Sequence, residues 1–252
     1  MNLFNLEGRS ALVTGAGQGI GFSIAEALAG AGARVFLNGR RADVLAEAAG
    51  RLRQAGFNAD IAPFDVTDPD TVAQGVAAIE AQAPLDILVN NAGIQRRAPL
   101  DQFDDEDWRE LMSTNVDSVY YVSKQVARAM IGRGRGKIIN IGSVQCELAR
   151  PGITPYTASK GAVRNLTKGM CADWARHGLQ INAIGPGYFA TPLNQALVED
   201  PAFDDWLRKR TPAGRWGRPE DLHGIAVFLA SSASDFVNGQ TIYVDGGVTA
   251  VI

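Results

Sequence analysis

Cysteine and histidine are almost missing from this sequence: two of each in 252 residues, Cys146, Cys171, His177 and His223. Two cysteines form neither a disulfide framework nor a zinc-binding spacing, and a reducing compartment is the natural expectation. The isolated histidines allow neither a nucleophilic triad nor a metal motif, so no metal is expected. Net charge is also small. The 24 lysines and arginines against 27 acids leave −3 at pH 7, which gives no electrostatic case for nucleic acid or an anionic membrane. No apolar run approaches the roughly 20 residues of a membrane span. The opening MNLFNLEGRSALVTG lacks the basic start and apolar run of a secretory signal. A cytoplasmic protein is expected, with neither nucleic acid nor membrane as partner.

What is present is an alternation. Short apolar runs end in glycine, asparagine or aspartate: SALVTG (Ser10 to Gly15), ARVFLNG (Ala33 to Gly39), NADIAPFDV (Asn58 to Val66), DILVNNAG (Asp86 to Gly93), GKIINIGS (Gly136 to Ser143), LQINAIGPG (Leu179 to Gly187) and GQTIYVDGG (Gly239 to Gly247). Several are apolar at successive positions, as in strands buried on both faces. Helical patterns lie between them, at Ile20 to Ala31, Asp43 to Ala55, Pro69 to Ala81, Asp105 to Met130, Tyr156 to Arg176 and Pro219 to Ala230. The alternation predicts an α/β chain with a doubly wound parallel sheet in a single domain, residues 1–252. Ligands of such sheets bind beyond the carboxyl ends of the strands. The stretch 190–216 has no strand pattern and is expected to cover a substrate.

Strand ends carry the chemistry. TGAGQGIG (Thr14 to Gly21) joins the first strand to the first helix, with Gly15, Gly19 and Gly21 spaced G-x-x-x-G-x-G. Glycine permits the tight turn and lets backbone approach a pyrophosphate at the helix N-terminus. The second strand ends in Asn38, Gly39, Arg40 and Arg41. An acid there would hold the ribose diol of NAD, whereas arginine suits a 2′-phosphate. NADP is therefore expected ahead of NAD, with Arg40 as the main contact. Asp65 and Val66 follow the third strand, where they could meet adenine, and Asn91, Ala92 and Gly93 end the fourth.

Together with Asn115 in STNV, Ser143, Tyr156 and Lys160, the GPG at Gly185 to Gly187 and the VDGG near the end, these motifs resemble the short-chain dehydrogenase/reductase family over nearly the whole chain. The resemblance implies a seven-stranded Rossmann-type sheet, a homotetramer, and hydride transfer between a nicotinamide and a carbinol or carbonyl. It adds Gln18, Ile20, Pro186, Gly187 and Thr191 to the cofactor residues, with Tyr156 and Lys160. NNAGIQRRAPL, SVQCELARPGITPYTASKGAV and RTPAGRWG are similar to a branch that interconverts D-gluconate and 5-dehydro-D-gluconate. The alternatives are another sugar acid, a 3-oxoacyl thioester, or a nucleotide-sensing regulator without catalysis.

Tyr156 and Lys160 lie one helical turn apart on one face. A phenol has an ordinary pKa of about 10, and a neighbouring ammonium favours the phenolate. Tyr156 is thus expected as general acid and base, tuned downward by Lys160. Ser143 would hold the substrate oxygen, and the resemblance gives Asn115 the ordering of a water chain to the lysine. A sugar acid needs a carboxylate anchor. Arg96 is the first candidate and Arg150 another, with Arg97 beside Arg96, because a guanidinium fork matches a carboxylate. Gln145 and Glu147 are candidates for bonding hydroxyls.

Overall fold

The computed structural model describes residues 3–252, with the backbone alone at position 193. Strands β1 (Ser10–Val13), β2 (Arg34–Gly39), β3 (Ala59–Pro63), β4 (Ile87–Asn90), β5 (Gly136–Ile141), β6 (Leu179–Pro186) and β7 (Thr241–Val244) form one sheet in the order β3-β2-β1-β4-β5-β6-β7. Every neighbouring pair is parallel. The direction of winding reverses between β1 and β4, and a crevice opens there above the strand ends.

Helices α1 (Gly19–Gly30), α2 (Ala42–Gln54), α3 (Pro69–Glu80), α4 (Asp105–Met112), α5 (Ser118–Arg133), α6 (Thr154–Trp174), α7 (Gln195–Val198), α8 (Pro201–Arg210) and α9 (His223–Ala230) supply the crossovers and the cover. Ile24, Leu28, Leu45, Leu52, Ala226 and Leu229 pack α1, α2 and α9 on one face of the sheet. Val72, Val76, Val122, Val126, Val163 and Met170 pack α3, α5 and α6 on the other. Strands covered on both sides need apolar residues at every position, which explains the unbroken LVT and ILV runs.

Local signals set the boundaries. Asp68 caps α3 by accepting from the N–H groups of Asp70 and Thr71, with Pro69 opening the helix. Gly134 closes α5 in the left-handed conformation, φ 69°. The single helix expected from Asp105 to Met130 is two helices joined by a π turn over Ser113–Asp117. That turn spends an extra residue, and it buries Asn115. The strandless stretch 190–216 holds α7 and α8. Its ends are pinned together: Phe189 and Gly217 form an isolated parallel bridge, with Ala190 N donating to Gly217 O at 3.0 Å.

Candidate active site

A cavity of about 470 Å³ lies over the carboxyl ends of β1, β4, β5 and β6. One end of it is the glycine turn. Gly15 and Gly19 have φ of 62° and 60°, a region side chains rarely occupy. A Cβ on Gly21 would stand 2.4 Å from Asn91 Nδ2 and 2.5 Å from Gly15 O. The α1 N-terminus has no capping side-chain bond and no acid in its first turn. Its N–H groups are thus left for an anion, and Gln18, Gly19 and Ile20 line the cavity beside it. A concave main-chain surface next to a positive helix end fits the pyrophosphate of a dinucleotide.

The turn is held by residues that pattern reading leaves in the background. The Thr14 hydroxyl accepts from the N–H groups of Asn91 (2.9 Å) and Ala92 (3.0 Å). Asn91 Nδ2 in return donates to the carbonyls of Thr14 and Gly15, at 2.9 and 3.1 Å. The amide expected to face the cofactor therefore braces the turn, while Asn91, Ala92 and Gly93 still line the cavity. Asn38 is fully buried and donates to the carbonyls of Ala62 and Phe64, fixing the turn after β3. Arg40 is exposed at the end of β2, with no ion pair among the described residues. Asp65 accepts from Thr67 N and Oγ1 with one oxygen, and Val66 is buried. Arg40, Asp65 and Val66 lie outside the cavity lining, whereas Pro186, Gly187 and Thr191 are within it.

The reacting corner sits where β5 meets α6. Ser143 follows β5 and caps the next turn, its hydroxyl accepting from Gln145 N at 3.1 Å. The Ser143 side chain also stands near enough to the Tyr156 hydroxyl to favour its ionised form. Lys160 is 5% exposed; its Nζ lies 5.6 Å from the Tyr156 ring centre and donates to Ile141 O at 2.8 Å. All three line the cavity, and so does Gln145, whose Oε1 accepts from Thr157 Oγ1 at 3.4 Å. Asn115 Oδ1 accepts from Ile94 N, while its Nδ2 donates to Ile94 O and to Ser159 Oγ. Ser159 in turn donates to Tyr156 O at 2.7 Å. Asn115 thus ties the β4 end to the first turns of α6 without lining the cavity.

A deeper polar chain spans the same elements. Asn90 Nδ2 donates to Ser123 Oγ and Asn140 Oδ1, both at 2.8 Å, and Asn140 Nδ2 donates to Thr167 Oγ1 at 2.9 Å. All four side chains are buried.

Three expectations need correction. In the chain alone Tyr156 is pushed up to about 12, not lowered: burial disfavours the phenolate more than the Ser143 hydroxyl and the Arg97 charge favour it. Lys160, taken out of water with only a carbonyl for a partner, falls to about 8. Arg96 is not a free guanidinium: it pairs with Asp107 at 3.2 Å and Glu110 at 2.6 Å. Glu147 points away into a pair with Arg164 (3.0 Å) and accepts from the Tyr243 hydroxyl (3.0 Å).

The unpaired cations are elsewhere. Arg150 lines the cavity, and its buried Nε has no hydrogen-bond partner. Arg97 stands exposed at the rim, close enough for its charge to act on Tyr156. Burial and the Arg150 charge both lower its pKa. Tyr188, just after β6, lines the cavity, and the charges of both Arg150 and Arg97 act on it. Burial raises its pKa against the pull of the Arg150 charge. Sequence reading gave Tyr188 no role. Its one signal was its place directly after Gly187 at a strand end.

The family model described as enoyl-(acyl carrier protein) reductase matches residues 15–249. The chain belongs to the short-chain dehydrogenase/reductase family. Gluconate 5-dehydrogenase of Gluconobacter oxydans is 63% identical over 249 residues, 98% of this chain and 97% of its own. The 5-keto-D-gluconate 5-reductase of Escherichia coli K12 is 50% identical over 252 residues, 100% of this chain and 99% of its own. A crystal structure of a gluconate 5-dehydrogenase from Burkholderia cenocepacia J2315, in complex with NADP and tartrate, has a TM-score of 0.98 at 60% identity. It covers 100% of this chain and 99% of that one. The seven-stranded parallel sheet implied by the family resemblance is the sheet found. Membership makes the chain an oxidoreductase, and no helix among the described residues is long and apolar enough to cross a membrane.

Proposed function

We propose that this protein is an NADP-dependent gluconate 5-dehydrogenase, interconverting D-gluconate and 5-dehydro-D-gluconate in the cytoplasm. The observation that carries the reading is the convergence of Ser143, Tyr156 and Lys160 with an unpaired Arg150 in one cavity that begins at the glycine turn. The relatives that share the chain end to end are gluconate 5-dehydrogenases and 5-ketogluconate reductases, and a close structural neighbour holds NADP and a hydroxy diacid.

In this reading the cofactor lies along Gly15, Gln18, Gly19, Ile20, Ala92, Gly93, Pro186, Gly187 and Thr191, with Arg40 as the 2′-phosphate contact. When bound, it supplies or accepts the hydride. The chain's own work is the proton and the charge. Tyr156, held protonated by its burial, is the general acid when the ketone is reduced and the base in the reverse direction. Ser143 holds the substrate oxygen and stabilises the charge that develops on it. Lys160, positioned by Ile141 O, faces the ring of Tyr156 and bonds the cofactor ribose. Asn115 sets the angle between β4 and α6. Arg150 and Arg97, in place of Arg96, receive the carboxylate, and Gln145 and Tyr188 are left for hydroxyls. The segment 190–216 covers the substrate.

The test is a spectrophotometric assay of 5-ketogluconate reduction and gluconate oxidation with both nicotinamide cofactors. NADP should be preferred by about ten- to a hundredfold, the range set by charge-assisted bonds to a 2′-phosphate, and Arg40→Ala should erase the preference. Tyr156→Phe should lose roughly 10²–10⁴ in turnover and still bind NADPH. No turnover of either sugar acid by the wild type would overturn the substrate assignment; near-normal turnover by Tyr156→Phe would overturn the mechanism. Exposed Trp108 and Tyr120, on α4 and α5, and Phe236, after α9, offer apolar surface for a homotetramer, for which light scattering should return the mass of four chains.

A further inference from the structure

Helix α8 is attached to the rest of the chain by rings. Phe203 packs against Tyr188 and Trp216, with ring centres 5.7 and 6.1 Å apart, and Trp206 meets the edge of Tyr188 at 6.2 Å. Asp204 accepts from Trp216 Nε1 at 2.7 Å. One contact in this assembly is made by a cation. The Arg150 guanidinium lies 5.4 Å from the centre of the Phe203 ring, and its charge also acts on the Tyr188 hydroxyl.

Arg150 therefore belongs to two structures at once. It lines the substrate cavity, and it forms part of the seat of α8. Among the described residues it has no carboxylate partner, in contrast to Arg96 and Arg164, and its Nε is buried without any partner. A like charge, Arg97, acts on the same neighbourhood. A guanidinium held over a ring by cation–π attraction keeps N–H groups to donate, and its fork matches a carboxylate.

We propose that Arg150 couples recognition of the substrate carboxylate to the seating of α8, so that the cover closes on acids and not on their neutral counterparts. A carboxylate accepting from Arg150 would cancel the repulsion from Arg97 and satisfy the buried Nε. It would thereby fix the guanidinium that holds the Phe203 ring. A neutral amide of the same shape removes none of the repulsion. The inference rests on the sugar-acid reading for its substrate, but its test does not require turnover.

The experiment is amide hydrogen exchange over residues 201–210 in the NADP-loaded enzyme, with tartrate as the acid and tartramide as its neutral counterpart. In the wild type, saturating tartrate should slow exchange in α8 at least fivefold, while tartramide at the same concentration leaves it within twofold. Arg150→Gln should show no tartrate protection at any concentration. Phe203→Leu should still bind tartrate, measured by calorimetry, with most of the protection gone. Absence of protection by tartrate in the wild type, equal protection by tartramide, or full protection in either variant would overturn the proposal. Should Arg150→Gln fail to fold, the wild-type and Phe203→Leu arms decide it. Failure to oxidise gluconate would remove the substrate assignment and leave these exchange results standing.

Discussion

The two ends of the cavity are made of different material. At the dinucleotide end the wall is main chain: glycines, free helix N–H groups, and side chains such as Thr14 and Asn91 that face inward to hold the turn. At the substrate end the wall is side chains: Arg150, Tyr188 and Gln145, with Phe203 behind them. A backbone surface recognises what every dinucleotide shares, and it is fixed by packing that leaves no room for variation. A side-chain surface can be exchanged residue by residue without disturbing the sheet. A common scaffold can therefore serve many substrates.

Gly21→Ala breaks the first half of the comparison. Its Cβ would need space already held by Asn91 Nδ2 and Gly15 O, and overpacking of that kind costs about 1–3 kcal/mol. The loss should appear as roughly hundredfold weaker NADPH binding in a fluorescence titration, with little change in the preference among substrates.

The second half is sharpened by two adjacent arginines. Arg97→Gln should raise KM for the sugar acid by about tenfold, the low end for a charged hydrogen bond because Arg97 is exposed to solvent. Arg96→Gln, which removes only a surface pair with Asp107 and Glu110, should leave KM within about twofold and cost at most about 1 kcal/mol of stability. Parallel kinetics on the two variants checks both values.

The smallest effect concerns the seam between the two ends. With Lys160 at about 8 in the folded chain and 10.5 as its ordinary value, the unfolded state binds the extra proton between those pH values. Stability of the cofactor-free wild type therefore rises with pH across that window, and the full cost of the buried ammonium is felt below it. Lys160→Met should be more stable than wild type by about 1 kcal/mol at pH 7, allowing for the Ile141 carbonyl left without its donor. The advantage should vanish by about pH 10.5. Thermal unfolding at pH 7, 9 and 10.5 without cofactor checks the sign.

Much of the fold was legible because its signals are local. Apolar runs closed by glycine or asparagine mark strand ends, and Tyr156 and Lys160 share a helix whose period places them. Neither the π turn nor the choice between Arg96 and Arg97 was legible. The extra residue in the turn follows from how Asn115 reaches Ile94, a contact 21 positions distant in the chain. The orientation of two consecutive guanidiniums is set by which of them meets Asp107 and Glu110 on α4. Glu147 was misplaced for the same reason, since Arg164 and Tyr243 come from other elements. Tyr188 and Phe203 acquire their place only when the segment between Phe189 and Gly217 closes on itself.

The buried run from Ser123 through Asn90 and Asn140 to Thr167 contains no group that ionises between acid and base extremes. It clamps β4, β5, α5 and α6 together with dipoles alone. That clamp is thus indifferent to acidity and to ionic strength, so a titration curve of turnover will read the groups it carries above it, the phenol, the Lys160 ammonium and their ligand.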